Sequence, residues 1–265
     1  MDEYLEFAIG IAEYAKKEML AYFLQQGDFS FKEDRTVVTE VDKKINHYLI
    51  EKVHERFPDH SVTGEEESDT VKSNKQWVCD PVDGTGMFTD EIPVSVFSLA
   101  YVEDGKVQVG VVMDPYLDHL YTAVRGQGAF CNGQRIHVND KHLGDLGYRI
   151  NFEMWNRAKF DTMAIVHELM DSSRISSIGS VARSCMSIAS GKFSCDLFPG
   201  VEHANCDIAA SSLIVEEAGG RVTDFFGNEQ RYDQDLNGAI ITNGVSHDEI
   251  MVKVKKYLRT KPEVE

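Results

Sequence analysis

The fold class predicted by this 265-residue chain is a layered α+β sandwich. Strand-like runs mix with helical ones, and a central group of short strands joined by tight turns reads as an antiparallel meander. The length is enough to bury a sizeable core, either as one large domain or as two closely joined halves. We read a single domain over 1–265, its halves meeting near residues 139 and 140.

The elements follow in order. Residues 2–26 carry Leu5, Ala8, Ile9, Ala12, Met19, Leu20 and Phe23 on one face, with Asp2 as a cap and Gly27 as a stop, and predict an amphipathic helix. A polar turn from Gly27 to Arg35 follows. Thr39-Glu40-Val41-Asp42 opens a second helix whose face, Val41, Ile45, Tyr48, Leu49, Val53 and Phe57, ends before Pro58. Short strands are expected at 61–63 and ending at Trp77-Val78-Cys79. Val94 to Tyr101 and Val107 to Met113 form a hairpin across Glu103-Asp104-Gly105-Lys106. Leu120 to Val124 and the turn Cys131-Asn132-Gly133-Gln134 continue the meander.

The second half begins near Asp140. It predicts helices over 160–171 and Val181 to Ala189, and a strand at Ile175 to Ile178 between them. A strand from Phe193 to Phe198 leads into a helix that Asn205 or Cys206 caps and that ends at Gly219-Gly220. Strands at Arg221 to Asp224 and Ala239 to Thr242 and a helix from Ser246 to about Leu258 close the chain.

Bulk composition narrows the function. Twenty-seven basic against 44 acidic residues give a net charge of −17, which repels a nucleic-acid backbone or an anionic membrane. No apolar run is long enough to cross a bilayer, and the start lacks the basic segment of a signal peptide, so the cytoplasm is the expected compartment. Five cysteines, odd in number and without metal-knuckle spacing, predict reduced thiols. An acidic protein that handles an anion needs cations to reverse the local sign.

The stretch that matters most is Asp80-Pro81-Val82-Asp83-Gly84-Thr85, read as a sharp exit from the buried strand before it. Pro81 fixes its own φ and biases Asp80 to be extended, while Gly84 permits a backbone that other residues resist. Such a turn aims Asp80, the Val82 carbonyl and Asp83 at one point. Hard divalent cations such as magnesium favour such oxygen clusters, and amides after Gly84 can hold an anion where a helix begins. Asp, Pro and Gly also make ordinary surface turns, so the segment alone does not decide. Asp42 has a plain reading too, because Thr39 with Asp42 three residues on has the form of a capping box. Likewise Asp207 is well placed in the first turn of a helix for dipole reasons alone.

Taken together, Gly64-Glu65-Glu66, then Trp77 through Thr85, then Asp207-Ile208-Ala209-Ala210 with Glu216-Glu217-Ala218-Gly219-Gly220 resemble the inositol monophosphatase family of magnesium-dependent, lithium-sensitive phosphatases. Gly126 through Gly133 adds to the likeness, which spans roughly Thr39 to Asn243. The resemblance implies an α/β/α/β/α sandwich of the inositol monophosphatase and fructose-1,6-bisphosphatase type and hydrolysis of a small phosphate monoester, nominally inositol monophosphate. It implies two or three magnesium ions. Glu65, Asp80 and the Val82 carbonyl would hold the first, and Asp80, Asp83 and Asp207 the second. Glu65, Thr85 and Asp42 would be catalytic, with Asp42 and Thr85 around the attacking water. Asp83, Gly84, Thr85 and, more weakly, Glu202 would contact substrate, and a homodimer is suggested.

Within the family chemistry, sugar bisphosphates, histidinol phosphate, NADP and 3′-phosphoadenosine 5′-phosphate remain alternatives, as does a regulatory protein that kept the fold without turnover. Three departures fall on the substrate side: Gly86-Met87 after the turn, Cys206 before the last ligand, and the segment from Pro199 to His203.

Overall fold

Helix α1 (Asp2–Tyr22) and helix α2 (Glu40–Arg56) bury Ala8, Ala12, Ala15, Met19, Val41, Ile45, Leu49 and Val53, the side chains that helical periodicity puts on one stripe of each. The computed structural model describes residues 2–23, 29–31, 37–153, 162–200 and 205–258. The expected stop at Gly27 lies outside them. Part of the expected polar turn is instead strand β1 (Phe29–Phe31), which pairs antiparallel with β2 (Val37–Thr39) just before α2. The apolar Val37 and Val38 announce the second strand, but the first, only three residues long, is hidden between Asp28 and the charged run from Lys32 to Arg35.

The first sheet has seven strands in sequence order: β3 (Ser61–Gly64), β4 (Lys75–Asp83), β5 (Val96–Glu103), β6 (Lys106–Asp114), β7 (His119–Val124), β8 (Gly128–Cys131) and β9 (Gln134–Arg135). From β4 onward it is the expected antiparallel meander, and β3 lies parallel to β4. Two turns take positive φ at both central residues, Asp104-Gly105 and Asn132-Gly133, the form that matches strand twist in a two-residue hairpin. The strands alternate faces with period two. Trp77, Cys79, Phe97, Leu99 and Tyr101 pack against α1 and α2, while Val78, Val96, Ala100 and Val102 face the other way.

The second sheet runs β11-β10-β12-β14-β13, built from β10 (Arg149–Phe152), β11 (Arg174–Ser176), β12 (Cys195–Phe198), β13 (Arg221–Thr223) and β14 (Ala239–Thr242). Its central parallel strand β10, bonded to both β11 and β12, is an element that the sequence reading omits. Helices α5 (Val181–Ala189) and α6 (Asn205–Glu217) fill the space between the sheets and share one core with Val78, Val96 and Tyr121 of the first and Ala239 and Ile241 of the second. Helices α4 (Thr162–Met170) and α7 (His247–Val254) cover the outer face, where Ile165, Leu169 and Ile250 meet Ile150, Leu197 and Ile240. The architecture is therefore helix pair, sheet, helix pair, sheet, helix pair. It places the end of β4 against the N-terminal ends of α5 and α6.

Candidate active site

Strand β4 does not end at Cys79 as the sequence suggests. It runs on to Asp83, with a register break against β5 between Asp80 and Asp83. Pro81 sits inside that irregularity, where its missing N–H costs no ladder bond. The Asp80 carboxylate accepts the Val82 N–H at 3.0 Å, so the acid shapes its own turn. Gly84 then takes φ 88°, and helix α3 (Thr85–Thr89) starts at once. A side chain at Gly84 would also meet the Gly179 carbonyl oxygen at 2.8 Å, so glycine is required twice over.

Asp80, Asp83 and Asp207 offer carboxylate oxygens that all lie within 4.8 Å of one another. Asp207 arrives from the first turn of α6 and the other two from β4, so the cluster joins the first sheet to the central helix layer. Asp80 and Asp83 are buried. Burial drives the Asp80 carboxyl well above the usual carboxylate range, and the charges of Glu65, Asp83, Asp207 and Asp42 push the same way. Like charges in a dry site resist joint ionisation, and a hard cation relieves both the burial and the repulsion. The donor set, oxygen throughout, fits such an ion.

Glu65 follows β3, and its N–H donates to the Cys79 carbonyl at 3.1 Å, which brings the acid alongside the Asp80 turn. The loop around it is braced by Asn46 of α2. The Asn46 amide donates to the Glu67 carbonyl at 2.8 Å, and a Cβ on Gly64 would strike the Asn46 oxygen. Asp42, one helical turn before Asn46, is fully buried and keeps both of its predicted relations. One oxygen closes the capping box with the Thr39 N–H at 2.9 Å and the Thr39 hydroxyl, and the other lies 3.3 Å from the Thr85 hydroxyl. That hydroxyl also reaches the Val82 carbonyl at 2.9 Å. It has one proton, so these two acceptors compete for it. Burial pushes Asp42 up to about 7, against the pull of the Thr39 bonds and with the help of Glu66 and Glu65.

Asp83 is held from the far side by the start of α5. It accepts the Ser180 hydroxyl at 2.5 Å, the Val181 N–H at 3.2 Å and the Ala182 N–H at 2.7 Å. Burial nevertheless pushes it up to about 7, with the Glu153 charge adding to the rise. Behind it lies a buried set in which the Asn151 amide donates to Glu153 at 2.7 Å and to Asp196 at 3.1 Å. The sequence reading omits Ser180, Asn151, Glu153 and Asp196. Only Gly179-Ser180 ahead of an apolar helical run carries a local signal, that of an N-cap.

Of the departures, Gly86 points at open space, while the Met87 side chain lies over Gly179, where a Cβ would meet its Cε at 2.7 Å. Met87 thereby pins α3 to the loop before α5. Cys206 is buried, its thiol 3.8 Å from the Thr63 carbonyl. Glu202 lies outside the described residues. The amides of Gly126 and Gly128 do hold an anion, but a structural one: each is 2.6 Å from a Glu217 carboxylate oxygen.

The fold and the sequence both find counterparts among known proteins. The model of the inositol monophosphatase family matches residues 1–259. The chain belongs to this family. A fructose-1,6-bisphosphatase/inositol-1-monophosphatase of Thermotoga maritima is 34% identical over 227 residues, spanning 84% of each chain. The Nus factor SuhB of Pasteurella multocida is 33% identical over 236 residues, covering 86% of this chain and 87% of that one. Among solved structures, the IMPase of Thermotoga maritima superimposes with a TM-score of 0.85 at 30% identity, covering 97% of this chain and 98% of that one. Family enzymes are phosphatases that hydrolyse phosphate monoesters.

Proposed function

We propose that the chain hydrolyses a small hydroxylated phosphate monoester with magnesium, inositol monophosphate being the nominal substrate. The observation that carries this reading is the convergence of Asp80, Asp83 and Asp207 within 4.8 Å at the start of two helices. Bound magnesium supplies positive charge against the phosphate and makes a water more acidic. Asp80, Asp83 and Asp207 would hold one such ion, and Glu65, Asp80 and the Val82 carbonyl another. A third, near Glu65, is a family expectation.

The chain's own groups do the rest. Asp42 accepts a hydrogen bond from the Thr85 hydroxyl, which leaves the oxygen of that hydroxyl to accept one from the attacking water and orient it. The amides of Gly84 and Thr85, at the start of α3, face a phosphate oxygen, and the glycine keeps the backbone close to it. Asp83, fixed by α5, serves ligand and substrate sides at once. Lithium inhibition, a homodimer and a cytoplasmic setting complete the proposal and rest on family likeness, composition and charge.

Release of inorganic phosphate from a panel of esters, with magnesium and with a chelator, tests this directly. Magnesium-dependent release with a clear preference supports it. The Thermotoga relative's name keeps fructose-1,6-bisphosphate on the panel. Likeness to the Nus factor favours one second reading, a regulatory protein, and no release from any ester by the folded chain would put that reading first.

A further inference from the structure

We propose that Ser180 is the positioning residue for Asp83, selecting which of its oxygens a cation meets. This rests on the metal reading above. A carboxylate oxygen has two lone pairs, and both of those on Asp83 Oδ2 are engaged, by the Ser180 hydroxyl at 2.5 Å and the Ala182 N–H at 2.7 Å. Among the described residues Oδ1 accepts only the Val181 N–H, at 3.2 Å, and keeps one lone pair. Oδ1 is therefore the atom left to share a cation with Asp80 and Asp207.

The serine's own direction is fixed. Its hydroxyl oxygen accepts the Arg183 N–H at 3.2 Å as the N-cap of α5, so its single proton is left for Asp83. The helix that carries it is anchored in turn. Arg183 Nε lies 2.9 Å from the buried Asp114 carboxylate at the end of β6, and that carboxylate also accepts the Tyr116 and Leu117 N–H groups. A Cβ on Gly84 would sit 2.8 Å from the Gly179 carbonyl oxygen, so the turn after β4 packs closely on the loop that leads into Ser180. Orientation thus passes from β6 through Arg183, α5 and Ser180 to Asp83, between residues 97 apart in sequence.

An N-cap that merely stabilised α5 would show the same bond, and the two roles separate by substitution. Glycine is a far better N-cap than alanine, yet neither has a hydroxyl, while threonine restores it. Isothermal titration of magnesium into the metal-free wild type and the Ser180→Ala, Ser180→Gly and Ser180→Thr variants is the test, with melting temperatures recorded alongside. Positioning predicts that alanine and glycine weaken magnesium binding alike, by roughly 10- to 100-fold, that threonine brings it back, and that the alanine variant melts lowest.

The inference is overturned if either hydroxyl-free variant binds magnesium within about twofold of wild type, or if affinity follows melting temperature across the series. Should the alanine variant not fold, the glycine variant carries the comparison. Absence of binding by the wild type itself overturns the metal reading and this inference with it, which the parallel titration makes plain.

Discussion

Asp83 shows how one side chain can serve two masters in the same few ångströms. Its hydrogen bonds to Ser180 and to the amides of α5 favour the charged form, yet burial outweighs them and holds it at about 7. Asp83→Asn keeps the shape while removing the charge. We expect turnover with magnesium to fall by roughly 10²-fold or more while the metal-free protein stays folded, because the loss of a buried like charge offsets the cost of turning an amide nitrogen toward the Ser180, Val181 or Ala182 donors. Steady-state kinetics and a circular-dichroism melt check the two halves. Asp42 and Asp83 also set a pH dependence. Both bind protons more tightly folded than unfolded, where they titrate near 3.8, so the metal-free native state holds more protons between about pH 4 and 7. Their contribution is fully present at low pH and is lost as pH rises through about 7, by at most about 4 kcal/mol for Asp42. Urea midpoints from pH 5 to 8 should therefore fall in chelator. With magnesium the slope should flatten or reverse, since ions compete with those protons.

At the scale of elements, close backbone approach decides more than propensity does. A Cβ on Gly110 of β6 would sit 2.6 Å from the Ala210 carbonyl oxygen of α6, whereas one on Gly86 of α3 meets nothing within 4 Å. Gly110→Ala should cost about 1–3 kcal/mol by lifting α6 from the sheet, and Gly86→Ala should be neutral or gain about 0.5–1 kcal/mol of helix stability; denaturant unfolding of the pair measures both. The same contrast explains what the sequence told. Alternation and turn chemistry make the meander from β4 to β9 legible, because each strand reports its own faces and each hairpin its own φ > 0 residues. Strand β10 was not legible, since Arg149-Ile150-Asn151-Phe152 alternates polar and apolar over four residues only, and its burial does not follow that alternation: Asn151, polar in sequence, is buried on the acids beneath the site. Asp80, Asp83 and Asp207 could be named from motif order, but Ser180 could not, because it touches Asp83 only through the packing of α5.

Across the whole molecule, the acids of the cluster come from two layers, the first sheet and the central helices. Asp80 and Asp83 leave the first sheet, while Asp207 starts the helix that leads into the second sheet's β13. A chain of net charge −17 gains from any cation by general screening, so the site-specific part has to be isolated. An ion that binds only the folded state adds stability as the logarithm of its concentration over Kd, about 2.7 kcal/mol at a hundredfold excess. Held at constant ionic strength with potassium chloride, the urea midpoint should therefore climb with magnesium and keep climbing past saturation. Asp207→Asn should shrink that climb while leaving the response to potassium chloride in place, because it turns a carboxylate ligand of one ion into a neutral amide and removes one charge among many. Equal magnesium responses in the two proteins would mean that the ion acts as diffuse countercharge and that the cluster does not bind it.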